Sequence, residues 1–264
     1  MKQVIKDTNE EYHSQTDYIG SSGLKIIFKK SVYHYLYSKK FESTESMRLG
    51  TAVHTALLEP ENFDNEVIVM PELNLRTKAG REERDKILEN TERGQVVIKQ
   101  DDLEVIQAIE RNFKNDKLAV AICEGGVVEA SHYGTIEGIK VRCRPDVYQP
   151  DRGIIGDIKT CQDNSPKAFK SNVYKFGYHL QAVFYAETLT HILERQFSPY
   201  DFRFIAVETN YPYSCEVYAL DEKEIEAGYA ALNKAWGEWK IFKETGVVLG
   251  YQTKDTASDG ALIL

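Results

Sequence analysis

The stretch 141–160 constrains the fold more than any other part of this chain. It holds Asp146, a turn at Asp151-Arg152-Gly153 and then Asp157-Ile158-Lys159. The residues on either side of the turn read as two short strands of a hairpin, the first ending at Asp146. Strand side chains alternate between faces, so Asp157 and Lys159 point one way while Ile158 points into the opposite layer. Two carboxylates and a lysine then form a compact charged site. An Asp-x-Lys triplet alone is most often a surface ion pair; the added Asp146 across a hairpin makes a divalent-metal site that cuts phosphodiester bonds the sharper reading. That chemistry needs an activated water, neutralisation of transition-state charge and a stabilised leaving oxygen, most of which one or two Mg²⁺ ions can supply. Mg²⁺ prefers oxygen ligands and keeps several waters, so Asp146 and Asp157 suffice as anchors, with the backbone carbonyl of Ile158 as a further oxygen. Lys159 would orient the attacking water or stabilise the transition state.

Composition bounds the rest. With 264 residues, 42% hydrophobic and 28% charged, the chain can bury a substantial core as one soluble domain. No apolar run approaches the roughly 20 residues that cross a membrane, and the first residues form no apolar signal segment, so a cytoplasmic protein is expected. Cys123, Cys143, Cys161 and Cys215 are far apart and form no CxxC pair, which argues for reduced thiols. The formal net charge of −8 argues against indiscriminate nucleic-acid binding. It leaves a nuclease open, because local basic patches decide phosphate contacts.

Taken in order, residues 1–20 read as an irregular lead-in. Ser21 or Ser22 could cap a helix through Leu24, Ile27 and Phe28, and a second helical piece runs through Tyr33 to Tyr37. Lys25, Lys29, Lys30, Lys39 and Lys40 make this region basic, as a solvated face or a phosphate-facing one. Residues 46–58 form a helix with Leu49, Val53, Ala56 and Leu57 toward the core. Its Gly50 suggests close packing, and His54 lies one turn on. Residues 60–100 read as a charged surface excursion in which Arg76 and Lys78, with Arg81 and Arg84, could touch DNA. A helix spans 101–122. Strands then follow at 127–133, 138–148 and 154–160 as a meander. A helix over 173–193 carries Gly177, Gln181 and Tyr185 on one stripe, strands cover 201–209 and 214–220, and a long helix covers 221–245. The tail from 252 reads as loosely ordered in part. This order predicts an α/β fold, a central mixed sheet flanked by helices, as a single domain over 1–264 with its core at about 46–220.

Pro145-Asp146 followed by Asp157-Ile158-Lys159 resembles the signature of the PD-(D/E)XK nuclease superfamily. Gly50-Thr51-Ala52-Val53-His54, Leu57-Leu58-Glu59-Pro60 and Arg142-Cys143-Arg144-Pro145-Asp146 resemble the RecE type (exodeoxyribonuclease VIII) and its phage-encoded relatives. The helix with Gln181 and Tyr185 resembles the Gln-x₃-Tyr motif of RecB-like nucleases. The likeness runs over roughly residues 12–251, with Ser22-Gly23-Leu24-Lys25 near its start and Gly250-Tyr251 near its end.

The resemblance implies metal ligation by Asp146 and Asp157, by His54 directly or through water, and by Glu129 if that residue is the acidic group that some relatives present from the first core strand. An exposed strand glutamate is the alternative for Glu129. It implies that Lys159 is the catalytic lysine, and that Gln181 and Tyr185 hold that lysine, the DNA backbone or the surroundings of the attacking water. Arg142 and Arg144 either contact phosphate or are solvated. The implied activity is a Mg²⁺-dependent exonuclease, with Mn²⁺ a substitute, that enters duplex DNA at an end, degrades 5′→3′ and leaves a 3′ single-stranded tail. The implied partners are double-stranded DNA ends, further copies of the chain in a homo-oligomeric ring (a tetramer), and a single-strand annealing protein of the RecT type. An endonuclease of the same fold and a non-catalytic DNA-binding module remain as rivals.

Overall fold

The structure is a computed structural model that describes residues 5–39, 43–92, 94–252 and 262. Lys40 and most of the tail from 252 lie outside the described residues. In chain order the elements are α1 (Asn9–Ser14), α2 (Ser21–Lys29), α3 (Val32–Tyr37), α4 (Glu45–Leu58), α5 (Phe63–Glu66), β1 (Val67–Met70), α6 (Lys78–Glu89), β2 (Val96–Lys99), α7 (Gln100–Asn115) and α8 (Lys117–Cys123). There follow β3 (Val127–Val128), β4 (His132–Ile136), β5 (Ile139–Cys143), β6 (Val147–Gln149), β7 (Ile154–Cys161), α9 (Pro166–Phe176), α10 (Tyr178–Leu193), β8 (Phe202–Glu208), β9 (Cys215–Tyr218) and α11 (Glu222–Thr245).

The central sheet has the order β3-β6-β7-β8-β9. β7 and β8 are parallel and their other neighbours antiparallel, so the sheet is mixed. A parallel pair needs a crossover, and α9 with α10 makes it. The sheet separates two apolar layers. One holds Leu24, Phe169, Leu180, Phe184, Phe202, Phe204 and Trp239, under α2 and α9 to α11. The other holds Val53, Ile106, Ile109, Ile122, Ile158 and Ile205, under α4, α7 and α8. Ile158 thus faces the opposite layer from Asp157 and Lys159, as strand alternation requires.

The expected meander is replaced by two separate pairings. Each of its first two strands breaks and changes sheet. Residues 127–133 divide at Glu129, whose φ of 47° is left-handed and cannot continue a strand. Residues 138–148 divide at Arg144-Pro145-Asp146, where proline has no N–H to give to a ladder. The pieces β4 and β5 pair apart from the central sheet, through a Glu137-Gly138 turn with both residues at positive φ.

Other boundaries also move. The lead-in contains α1, opened by a capping box between Thr8 and Glu11. The residue before α2 is Gly20, so neither Ser21 nor Ser22 is its N-cap. The charged excursion contains β1, α6 and β2. The helix expected at 101–122 divides at Asp116, which caps α8. The helix expected at 173–193 divides at Gly177, whose φ of 69° ends α9 and opens α10. Among the described residues no helix is long and apolar enough to cross a membrane, and all four cysteines are free thiols.

One buried group makes the fold acid-sensitive. His132 is 6% exposed, packs edge-on against Tyr148 and has no hydrogen-bond partner for Nε2. Burial pushes its pKa down from 6.5 to about 4. Between these values the unfolded chain takes up a proton that the folded chain refuses. Stability is therefore full above pH 6.5 and falls as pH drops toward 4. Urea denaturation at pH 7 and pH 4.5 should show a loss in the native chain roughly 2 kcal/mol larger than in His132→Asn; equal losses would remove His132 as the cause.

Candidate active site

The site forms where the β6–β7 ladder ends. Val147 is paired with Gly156, so one step beyond it Asp146 stands opposite Asp157. There a side chain takes over from the backbone: the Ile158 N–H donates to Asp146 Oδ2 at 2.6 Å. The N–H and C=O of one strand residue point to the same side, so the Ile158 carbonyl also faces the edge where Asp146 lies.

Two further elements bring donors to Asp146. The α4 helix passes close to β7, because a Cβ built on Gly50 would lie only 3.2 Å from Thr160 Oγ1. One turn later His54 Nδ1 sits 3.4 Å from Asp146 Oδ2. On the other flank the Glu129 N–H donates to the Asp146 carbonyl at 3.0 Å. The left-handed backbone at Glu129 interrupts the strand there and puts its carboxylate into the site. One ligand atom from each of His54, Glu129 and Asp146 lies within 4.8 Å of the others. Left-handed backbone at a non-glycine residue costs roughly 1–3 kcal/mol and tends to cluster at functional sites.

Asp157 is buried on the adjacent face with both oxygens engaged. Gln181 Nε2 donates to Oδ1 at 2.7 Å, and the Lys159 ammonium lies against Oδ2. Burial raises the Asp157 pKa, opposed by Lys159 and reinforced by Asp146. Burial works against the charge of Lys159, but Asp157, Asp146 and Tyr178 outweigh it and raise its pKa, so it is an ammonium at neutral pH. Glu129 is pushed up to about 8 by burial and by Asp146, against the pull of Arg144. Burial and mutual repulsion of the acids thus favour a proton on Glu129 when the protein is alone at neutral pH. A divalent cation would favour the charged form instead, and the donor set of carboxylates, an imidazole and a backbone carbonyl fits one.

The remaining residues singled out in the sequence fall into two groups. Tyr185 reaches the site, its hydroxyl donating to the Arg144 carbonyl at 3.4 Å. Arg144 pairs with Glu129 at 3.1 Å and with Asn9 at 2.8 Å, and its guanidinium lies over the Tyr12 ring. Arg142 donates to the Tyr12 carbonyl and lies over the same ring. Both arginines therefore turn inward onto α1. Arg76 precedes α6 and Lys78 opens it; Lys78 pairs with Glu82 at 3.5 Å, and Arg84 pairs with Asp85.

Lys25 enters the site with no sequence pattern tying it there. Its ammonium donates to Gln181 Oε1 at 2.7 Å across 156 residues of chain. A lysine only donates and a carboxylate only accepts, so these partners fix the Gln181 amide, its oxygen toward Lys25 and its nitrogen toward Asp157. Burial, with Lys159 nearby, pushes the Lys25 pKa down to about 7. Tyr178 lies between the two lysines, 5.6 Å from Lys25 Nζ and 5.1 Å from Lys159 Nζ.

The family model described as a PDDEXK-like domain of unknown function (DUF3799) matches residues 22–247. The chain belongs to this family. In this DUF3799 domain the end of the β6–β7 ladder sets side by side the two segments that resemble the PD-(D/E)XK signature, Pro145-Asp146 and Asp157-Ile158-Lys159. A crystal structure of a candidate exonuclease from Eubacterium rectale superposes with a TM-score of 0.63 at 14% identity, covering 94% of this chain and 89% of the other. At that identity the likeness shows the fold alone; with the PDDEXK-like family model it gives a PD-(D/E)XK fold, a central mixed sheet flanked by helices. A phage-related exonuclease from Haemophilus somnus is matched at a TM-score of 0.33 and 15% identity over 87% of this chain and 96% of that one. No curated protein matches the sequence.

The close approach of α4 to β7 positions His54 in this DUF3799 domain. Gly50→Val should push α4 off Thr160 and lower stability by roughly 1–3 kcal/mol. Urea denaturation checks it, and unchanged stability would show that the helix position does not depend on Gly50.

Proposed function

We propose that the chain is a metal-dependent nuclease whose substrate is linear double-stranded DNA. The observation that carries this reading is the buried Asp157–Lys159 pair beside the His54, Glu129 and Asp146 cluster, on one strand end. Asp146, Asp157, His54, Glu129 and the Ile158 carbonyl would hold the cation. Mg²⁺ suits the oxygen donors, and the imidazole makes Mn²⁺ a workable substitute. When bound, such an ion supplies charge neutralisation at the phosphoryl group and activation of water. Lys159, kept cationic by its carboxylate neighbours, stabilises transition-state charge and orients the attacking water; it is not a general base. Gln181 holds Asp157 in place from α10, and Tyr185 braces the Arg144-Pro145-Asp146 turn.

The finer reading is a RecE-type exonuclease. It rests on the resemblance of Gly50 to His54, Leu57 to Pro60, Arg142 to Asp146 and the Gln181/Tyr185 helix to that type. On this reading the single domain acts from DNA ends, 5′→3′, in the cytoplasm of a bacterial host. It leaves a 3′ tail for a RecT-type annealing protein, and works as a ring-shaped tetramer.

A timed digest of end-labelled linear duplex beside a closed circle, with Mg²⁺, tests both levels. Loss of the 5′ label first and an intact circle are expected. Cutting of the circle would assign an endonuclease, and no cleavage in Mg²⁺ or Mn²⁺ would leave a DNA-binding module. Asp157→Asn should keep the native secondary structure by circular dichroism at reduced stability, yet lose at least a hundredfold in rate. His54→Ala should raise the Mg²⁺ concentration for half-maximal rate about tenfold; an unchanged metal requirement would give His54 a structural role.

A further inference from the structure

Next to the site an aromatic stack runs from Lys159 to the surface. The Tyr178 ring, which touches Lys159 and Lys25, stacks on Phe176 with centroids 5.6 Å apart and planes 29° apart. Phe176 is 44% exposed. Gly177 lies between the two aromatic residues in the left-handed region, and that bend lets two residues of successive helices stack. Lysines line the stack outward. Lys175 Nζ is 5.1 Å from the Phe176 centroid, and Lys29 donates to the Lys175 carbonyl. Four lysines, Lys159, Lys25, Lys29 and Lys175, thus lie along this stack in a chain whose net charge is −8.

An exposed ring flanked by cations matches one repeating chemistry, a flat base joined to a phosphate. Inside a duplex the base faces are covered by their neighbours, so away from the terminal pair a base must be unpaired to lie on Phe176, and lysines beside the ring suit a strand whose backbone runs past it. We infer that Phe176, backed by Tyr178, is a stacking platform for a base of single-stranded DNA, with Lys29 and Lys175 contacting its phosphates. The inference rests on the nuclease reading for its choice of DNA. It adds a substrate feature to that reading: the strand is unpaired where it meets Lys159.

The probe is a short single-stranded DNA carrying one 2-aminopurine, whose fluorescence falls when the base stacks. The oligonucleotide binds to the Asp157→Asn chain, which leaves it uncut. Quenching is expected, with Kd about tenfold higher and quenching lost when Phe176→Ala is added, and both restored by Phe176→Trp. Unchanged quenching and Kd in Phe176→Ala would overturn the inference. So would a change of oligomeric state in Phe176→Ala by light scattering with quenching intact, which would assign the ring to self-association. Digestion of linear duplex by the native chain separates the two readings. Cleavage without Phe176-dependent quenching sinks the platform alone, whereas Phe176-dependent quenching without cleavage sustains the platform and sinks the nuclease.

Discussion

Two opposite charges buried on one strand set the terms for everything around them. Asp157 and Lys159 lie on β7, the middle strand of the central sheet, Asp157 fully removed from bulk water and Lys159 half-buried against it. A charge in that position is tolerated only when it is paired and hydrogen-bonded. The chain meets this need from three directions. Lys159 faces Asp157 directly, Gln181 reaches down from α10, and Lys25 from α2 fixes the Gln181 amide. Removing one partner leaves the others buried and unsatisfied, so this polar network couples α2 and α10 to the sheet. Ile158, between the two charges, anchors the same strand in the dry layer beneath α4 and α7.

The second organising feature is interruption. A continuous β6 would pair with β7 through its backbone and leave no room for side-chain chemistry. Pro145 ends that pairing, and Asp146 takes the Ile158 N–H in its place. Glu129 interrupts the neighbouring strand with left-handed backbone and places a third acid at the same point. The raised pKa of Glu129 measures how poorly the protein alone accommodates that charge. The site is therefore built from edges that ordinary sheet hydrogen bonding leaves open.

The spacing of Asp146, Asp157 and Lys159 across a turn, with period-two alternation, was legible in the sequence because strand geometry is local. So were α2, α3, α4, α7 and α11, whose apolar residues recur at helical spacing. The breaks were less legible. Gly177 sits on a stripe with Gln181 and Tyr185 that continues smoothly through a helix, and only its positive φ shows that two helices meet there. Val67 to Met70 is too short to show a period, and α6 has few apolar residues to mark a face. Lys25 could not be placed at all, since its bond to Gln181 spans 156 residues and depends on how α2 packs on α10. Arg142 and Arg144 look like surface cations in the sequence and become internal through α1, whose capping box is itself a local signal in Thr8 and Glu11.

The central claim is that the crowded carboxylates are a cation site. A ligand that binds only the folded chain raises its stability in proportion to the logarithm of its concentration over Kd. Thermal denaturation across a Mg²⁺ and Mn²⁺ series, for the native chain and for the Glu129→Gln/Asp146→Asn double variant, tests this without any DNA. The account predicts a melting temperature that climbs with metal in the native chain and stays flat in the double variant. A flat native curve, or an equal rise in both, would contradict it.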